Sequence, residues 1–380
     1  MKTRKMELYI HIPFCVKKCN YCDFCSFPAS AEQKEAYMRQ LEAEIKAWGA
    51  ERNHQEISTV FIGGGTPSSL ETEQIRRLME TVKSAFSVLP EAEITMEANP
   101  GTVDPDKLKG CLEAGISRIS FGLQSMQEEE LKDLGRIHSR EDFLAGFETA
   151  REAGFENISV DLMSGIPKQT LSSYEDTLRK TAELEPEHIS AYSLIIEEGT
   201  PFARDKELIQ RLPSEDEDVR MYEMTEEILE EYGYHKYEIS NYSRPGYECR
   251  HNLGYWSQIP YLGVGLNASS YLDGKRFQQT ASMKEYMALK DYILSYRETR
   301  PLSQEEKMEE FMFLGLRKTA GVKGEDFVRQ FGRTMDSVYG EVIDTSVKGG
   351  WIERDRDSIA LTKKGILFSN HVLSEFLLSE

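Results

Sequence analysis

Nowhere in this 380-residue chain do apolar residues run for the roughly 18 to 20 positions of a membrane-spanning helix, so none is expected. Basic charge is also short. Lys and Arg number 46 against 65 Asp and Glu, a net charge of −19. A surface that acidic repels phosphate backbones, and nucleic acid is not an expected partner. The first six residues carry three basic side chains but no apolar signal core, and a strand-like run begins by Glu7, leaving no room for a transit peptide. The chain is therefore expected to work in the cytoplasm. Cysteine is scarce too, with six in all, yet Cys15, Cys19, Cys22 and Cys25 fall within eleven residues. In a reducing compartment such clustering points to metal or redox chemistry rather than disulfides.

What is present is an ordinary folding composition, 39% hydrophobic and 29% charged. Up to about residue 196, short apolar runs alternate with helical patterns. Strands are expected at 8–12, 59–62, 93–98, 118–121, 157–162 and 188–196, with helices such as 33–50, 72–86 and 104–114 between them. Asp104-Pro105 reads as a cap before a first-turn proline, Ser172 with Glu175 as a capping box, and Gly115 and Gly154 as helix stops. Six βα repeats imply an α/β fold with a parallel sheet, either open and doubly wound or a partial barrel. In both, ligands bind at the carboxyl ends of the strands. Residues 1–235 are expected to form this barrel-like unit and 236–299 a connecting segment. Residues 300–380, helices followed by a hairpin and a last helix over 364–378, are expected to form a winged-helix-like domain. Residues 301–380 hold 11 Lys and Arg against 14 Asp and Glu. The domain reads as a lid or docking element rather than a DNA reader.

The chemistry centres on Cys15-Val-Lys-Lys-Cys19-Asn-Tyr-Cys22, directly after the first strand. A CxxxCxxC loop can wrap three thiolates around three corners of a [4Fe–4S] cluster and leave the fourth iron open for substrate. The open iron can chelate S-adenosylmethionine, whose reductive cleavage yields a 5′-deoxyadenosyl radical. A structural zinc site is the plainer alternative, but it usually pairs two CxxC hairpins a dozen or more residues apart. Cys25 is either a fourth ligand or a spectator. Cys111, in a helical pattern, reads as a small core side chain.

Other polar groups end the remaining strands. Gly63-Gly-Gly-Thr-Pro-Ser68 follows the second, where glycine lets backbone approach a ligand. Glu97 and Asp161 end the third and fifth, placed to bind ribose hydroxyls or else to be solvated strand-end charges. Gln124 follows the fourth. Arg136 is either a carboxylate clamp or a surface cation.

The blocks LYIHIPFCVKKCNYCDF, FIGGGTPSSL, MEANPGT, RISFGLQS, LGRIHS and NISVDLMSGIPKQT, in this order, resemble the oxygen-independent coproporphyrinogen III oxidase family of radical-SAM proteins. The likeness runs from Tyr9 to the C-terminus. Within the family the chain looks most like its heme-chaperone branch. It carries HKYEISNYSRPGYECRHNLGYW at 235–256, it lacks a long arm before the first strand, and Phe24 stands where the oxidase has a CxC cysteine. The resemblance implies a three-quarter (β/α)6 barrel, with Cys15, Cys19 and Cys22 as cluster ligands. It implies S-adenosylmethionine contacts at Tyr9, Tyr21, Gly64, Gly65, Thr66, Glu97, Gln124, Arg136 and Asp161. Chaperone-branch sequences often have Asn where this chain has Cys25. In the HNLGYW block, His251 is a candidate axial ligand for heme, since neutral imidazole suits iron, or else a core histidine with both nitrogens satisfied. Arg250 is an alternative partner for a heme propionate.

The function this implies is a heme chaperone that hands heme to apo-hemoproteins, with cluster and S-adenosylmethionine serving regulation or transfer. A transient membrane association and a homodimer go with that reading, and coproporphyrinogen III dehydrogenase activity is expected to be absent. The alternatives are the oxidase itself, decarboxylating coproporphyrinogen III by a radical route, and a heme-degrading methyltransferase.

Overall fold

The computed structural model describes residues 5–378. Its first half is a βα alternation: β1 (Met6–Ile12), α1 (Ala31–Glu51), β2 (Glu56–Gly64), α2 (Thr72–Ala85), β3 (Ser87–Ala98) and α3 (Pro105–Ala114). It continues with β4 (Arg118–Gln124), α4 (Glu128–Asp133), α5 (Arg140–Ala153), β5 (Ile158–Ser164), α6 (Leu171–Glu183) and β6 (His188–Ser193). The signals at helix ends act locally. Asp104 accepts from Lys107 N at 2.8 Å to cap α3, and Gly115 and Gly154 close α3 and α5 in the left-handed conformation. One start differs from expectation. α6 begins at a Thr170/Ser173 box rather than at Ser172/Glu175. Ser173 serves two partners: it accepts from Thr170 N and donates to buried Glu130 at 2.7 Å.

Strands β1 to β6 pair in parallel and in order. Alternation along each strand explains the layering. Leu8, Ile10, Val60, Ile62, Ile94, Met96, Ile119, Phe121, Ile158 and Val160 face the helices and join the main core. The opposite face carries Glu7, Tyr9, Thr59, Glu93, Glu97, Arg118, Ser120, Asp161, His188 and Tyr192. These touch one another across strands, as Ser120 does with Asp161 and Ser159 with His188. The barrel is thus apolar outside, beneath its helices, and polar within.

After β6 come two one-turn helices, α7 (Pro201–Arg204) and α8 (Lys206–Ile209), then the acidic α9 (Glu215–Glu231). The stretch read as a connector adds strands to the main sheet: β7 (His235–Lys236), β8 (Asn241–Ser243) and, past α10 (Arg250–Trp256), β9 (Tyr261–Val264), β10 (Ser269–Leu272) and β11 (Lys275–Gln278). The order is β11-β10-β9-β1-β2-β3-β4-β5-β6-β8-β7, an arc that does not close, with β9 parallel to β1. α11 (Met283–Ala288) and α12 (Leu294–Glu298) lead to the last unit.

That unit comprises α13 (Gln304–Gly315), β12 (Val322–Lys323), α14 (Gly324–Phe331), α15 (Asp336–Lys348), β13 (Ile352–Asp355), β14 (Ser358–Leu361), α16 (Lys363–Leu367) and α17 (Ser369–Ser374). The expected final helix is two short ones, broken at Phe368. A separate core of Met308, Met312, Phe327, Tyr339, Ile343, Val372 and Phe376 holds the unit together. Among the described residues, no helix is long and apolar enough to cross a membrane.

Candidate functional site

The cysteine loop leaves β1 and is pinched shut at its base. Cys15 N donates to Phe27 O at 3.1 Å and Phe27 N to Pro13 O at 2.9 Å. Its tip is tied on both sides, Asn20 N to Leu134 O at 3.0 Å and Phe202 N to Asn20 O at 2.9 Å. All four thiols are free and half-buried. Cys15, Cys19 and Cys22 line one cleft at the carboxyl rim of the barrel. Thr66 donates its hydroxyl to Cys15 Sγ at 3.5 Å, and Arg136 Nη1 donates to Cys19 Sγ at 3.6 Å. Among the described residues, no three His, Cys, Asp or Glu side chains converge as a single-ion site would. Cys25 lies outside the cleft lining, its Sγ 4.0 Å from Ala281 O, while its carbonyl accepts from His11 Nε2 at 2.9 Å.

The opposite wall comes from β2 to β5. A Cβ at Gly64, where φ is 113°, would lie 2.5 Å from the His11 ring, and one at Gly65 would lie 2.7 Å from Phe14 O. Only glycine lets this backbone pass so close to β1. Gly64 N donates to Glu97 Oε2 at 3.0 Å. Burial, then the neighbouring Asp161, pushes the Glu97 carboxyl up to about 7. Burial also raises Asp161, offset by Ser190, Arg118 and Ser120. Asp161 sits in the middle of β5 and faces the barrel interior. Neither carboxylate is therefore a solvated strand-end charge. Arg136 follows α4 and is half-buried. Its Nη2 donates to Asn99 Oδ1 at 2.9 Å and to Gly122 O, while its Nε has no partner. Gln124, at φ 71°, sits at a register break in the β4–β5 ladder.

Ten of the expected residues thus meet at one cleft: Cys15, Cys19, Cys22, Tyr21, Gly64, Gly65, Glu97, Gln124, Arg136 and Asp161. Thr66 reaches it through Cys15. Tyr9 lies behind the wall, its hydroxyl 3.0 Å from His11 Nδ1. The donor set fits a cluster and an amino-acid-bearing nucleoside. It offers three thiols in one loop, carboxylates placed for hydroxyls, an orphaned buried guanidinium nitrogen and a glycine cradle. Sequence reasoning passed over Tyr192, which lines the cleft and donates to Gln124 Oε1 at 2.9 Å. Its position near the end of the sixth strand was the available signal.

Compared with known proteins, residues 9–181 match the Radical SAM superfamily and residues 302–368 the HemN C-terminal domain. The heme chaperone HemW of Bacillus subtilis (strain 168) is 40% identical over 97% of this chain and 98% of its own length. That of Escherichia coli (strain K12) is 35% identical over 99% of each. The chain belongs to the HemW family.

A solved structure of the Escherichia coli coproporphyrinogen III oxidase HemN, described as a radical SAM enzyme, superposes with a TM-score of 0.85 at 25% identity. The match covers 99% of this chain and 90% of that one. Of the two readings of His251, the structure shows the core histidine. It lies on α10 with 1% of its surface exposed and stacks on Phe61. Its Nδ1 is 2.7 Å from Thr59 Oγ1 and its Nε2 2.8 Å from Tyr255 Oη. Both nitrogens are engaged in the core, so the folded arrangement presents none to heme iron. Glu93 explains the seat. Its carboxylate accepts from Arg250 N at 3.1 Å and His251 N at 3.2 Å, pinning the start of α10 inside the barrel. Arg250 reaches Glu91 O at 2.6 Å.

Proposed function

We propose that this chain is a heme chaperone that binds heme and delivers it to apo-hemoproteins. One observation carries the reading: the kinship with proteins named heme chaperone HemW covers the whole chain. In this reading Cys15, Cys19 and Cys22 hold a [4Fe–4S] cluster with an open iron. When bound, cluster and S-adenosylmethionine supply one-electron cleavage of the sulfonium. Glu97 and Asp161 accept from ribose hydroxyls, Gly64 and Gly65 let backbone face the ligand, and Arg136 and Gln124 donate to its carboxylate. Tyr21 packs beside Arg136, and Thr66 and Tyr9 hold the walls through Cys15 and His11. The chaperone works from the cytoplasm, reaches membrane hemoproteins by transient association and assembles as a homodimer.

Titration with hemin tests the reading, with a saturable Soret band expected that moves to an added apo-hemoprotein. Absence of that band overturns it. So does conversion of coproporphyrinogen III to protoporphyrinogen by the anaerobically reconstituted protein with dithionite and S-adenosylmethionine.

A further inference from the structure

Tyr192, the penultimate residue of β6, faces the barrel interior at the floor of the cleft. Its hydroxyl donates to Gln124 Oε1 at 2.9 Å. Burial, with Tyr21 and Asp161 nearby, holds the phenol well above its ordinary pKa, so it stays a donor. An amide whose oxygen accepts this bond must turn its nitrogen the other way. That nitrogen lies over Gly122. A Cβ built there would be 3.0 Å from Gln124 Nε2, 3.2 Å from Arg136 Nη2 and 3.3 Å from Asn99 Oδ1. Gln124 Nε2 and the Arg136 guanidinium therefore meet above one glycine, where Arg136 Nη2 already donates to Asn99 Oδ1 and Gly122 O. Arg136 Nε is buried without a partner. Converging donors of this kind complement a carboxylate. Gln124 also keeps a left-handed backbone at the register break, a conformation a non-glycine residue holds only where its surroundings enforce it.

We propose that Tyr192 is a positioning residue: it locks the Gln124 amide with its nitrogen toward the cleft, so that Gln124 and Arg136 form a paired donor site for the carboxylate of S-adenosylmethionine. The proposal rests on the cofactor reading above and adds the group that sets the polarity of the site. With the amide reversed, an oxygen would face the carboxylate and repel it. Phenylalanine at 192 would keep the ring's packing against the Leu134, Met163 and Ile166 cluster and remove only the lock.

The test compares equilibrium binding of S-adenosylmethionine and of decarboxylated S-adenosylmethionine to the anaerobically reconstituted protein. Tyr192→Phe is expected to weaken S-adenosylmethionine about tenfold, the scale of one hydrogen bond, and to leave the decarboxylated ligand unchanged. Gln124→Ala should show the same selectivity, and the double variant should bind no more weakly than Gln124→Ala alone. Wild-type affinity in Tyr192→Phe overturns the proposal, as does an equal loss for both ligands or a fully additive double variant. If the wild-type protein itself binds no S-adenosylmethionine, the cofactor reading falls with it. If wild type binds normally and Tyr192→Phe matches it, only the role of Tyr192 falls.

Discussion

Glu97 shows what burial does to a single residue of the site. Placed among Gly64, Asp161 and the barrel wall, its carboxyl is pushed up to about 7 by burial first and by Asp161 second. Ribose hydroxyls are best accepted by the ionised form, so S-adenosylmethionine should bind more tightly at pH 8 than at pH 6. Glu97→Gln should bind more weakly and lose most of this dependence. Calorimetric titrations at the two pH values check this, and an equally steep profile in the variant would assign the dependence elsewhere. Arg136 teaches the same lesson from the other side. In sequence it reads equally as a surface cation. Only the approach of the cysteine loop and β4 buries its Nε and leaves it unpartnered.

At the scale of elements, the cysteine loop and the α10 plug behave as units. The loop closes through Phe27 before Cys25 can reach the cleft, so Cys25→Ala is expected to retain its iron and the EPR signal of the reduced cluster. Cys15→Ala, Cys19→Ala and Cys22→Ala should each lose them. Loss of the cluster in Cys25→Ala would make that thiol a ligand. The plug carries the fold's least ordinary buried pair. Glu7 and His251 approach to 4.0 Å, the spacing of an ion pair. Burial, reinforced by Glu93, pushes Glu7 up to about 9, while burial pushes His251 down to about 3. Both are therefore neutral at pH 7, and the contact is one of neutral groups. The sign for Glu7 follows. Its stabilisation is complete below the ordinary carboxylate range and is lost as the pH rises toward about 9, by up to about 1.4 kcal/mol per pH unit. Glu7→Gln should therefore lose less stability than wild type between pH 5.5 and 8.5, measured by urea unfolding. An equal loss would mean that Glu7 ionises in the fold.

Across the whole molecule, the C-terminal unit has its own core but is fastened to the sheet. Arg276 on β11 forms a two-pronged pair with Glu310 on α13, Nη2 to Oε2 at 3.0 Å, and Lys363 on α16 meets Glu226 on α9 at 2.7 Å. Thr319 N donates to Tyr237 O at 3.1 Å. Since Arg276 is about a third exposed, the pair is screened, and Arg276→Ala should cost about 1 kcal/mol. Its effect should be local: faster hydrogen exchange in 304–315 and unchanged exchange in β1 to β6. A uniform rise would show that the two units unfold together. The net charge of −19 gives the molecule an acidic surface, against which Lys17 and Lys18 at the cleft mouth are local exceptions.

What the sequence determined by itself is what depends on near neighbours in the chain. The CxxxCxxC loop, the βα rhythm, Asp104 as a cap and the left-handed stops at Gly115 and Gly154 all follow from spacing and backbone preference. The polar residues after successive strands pointed to one rim, and the structure gathers them in one cleft there, because parallel strands end on one side. Tertiary structure decided what depends on closure. It turned Cys25 away from the cleft, drew residues 235–278 into the sheet and seated His251 against Thr59 and Tyr255. It also made Tyr192 the partner of Gln124, 68 residues distant in the chain. The reason is physical. Which of two faces a strand residue presents can be read from alternation, but which buried groups then meet depends on how the strands curl around a shared interior.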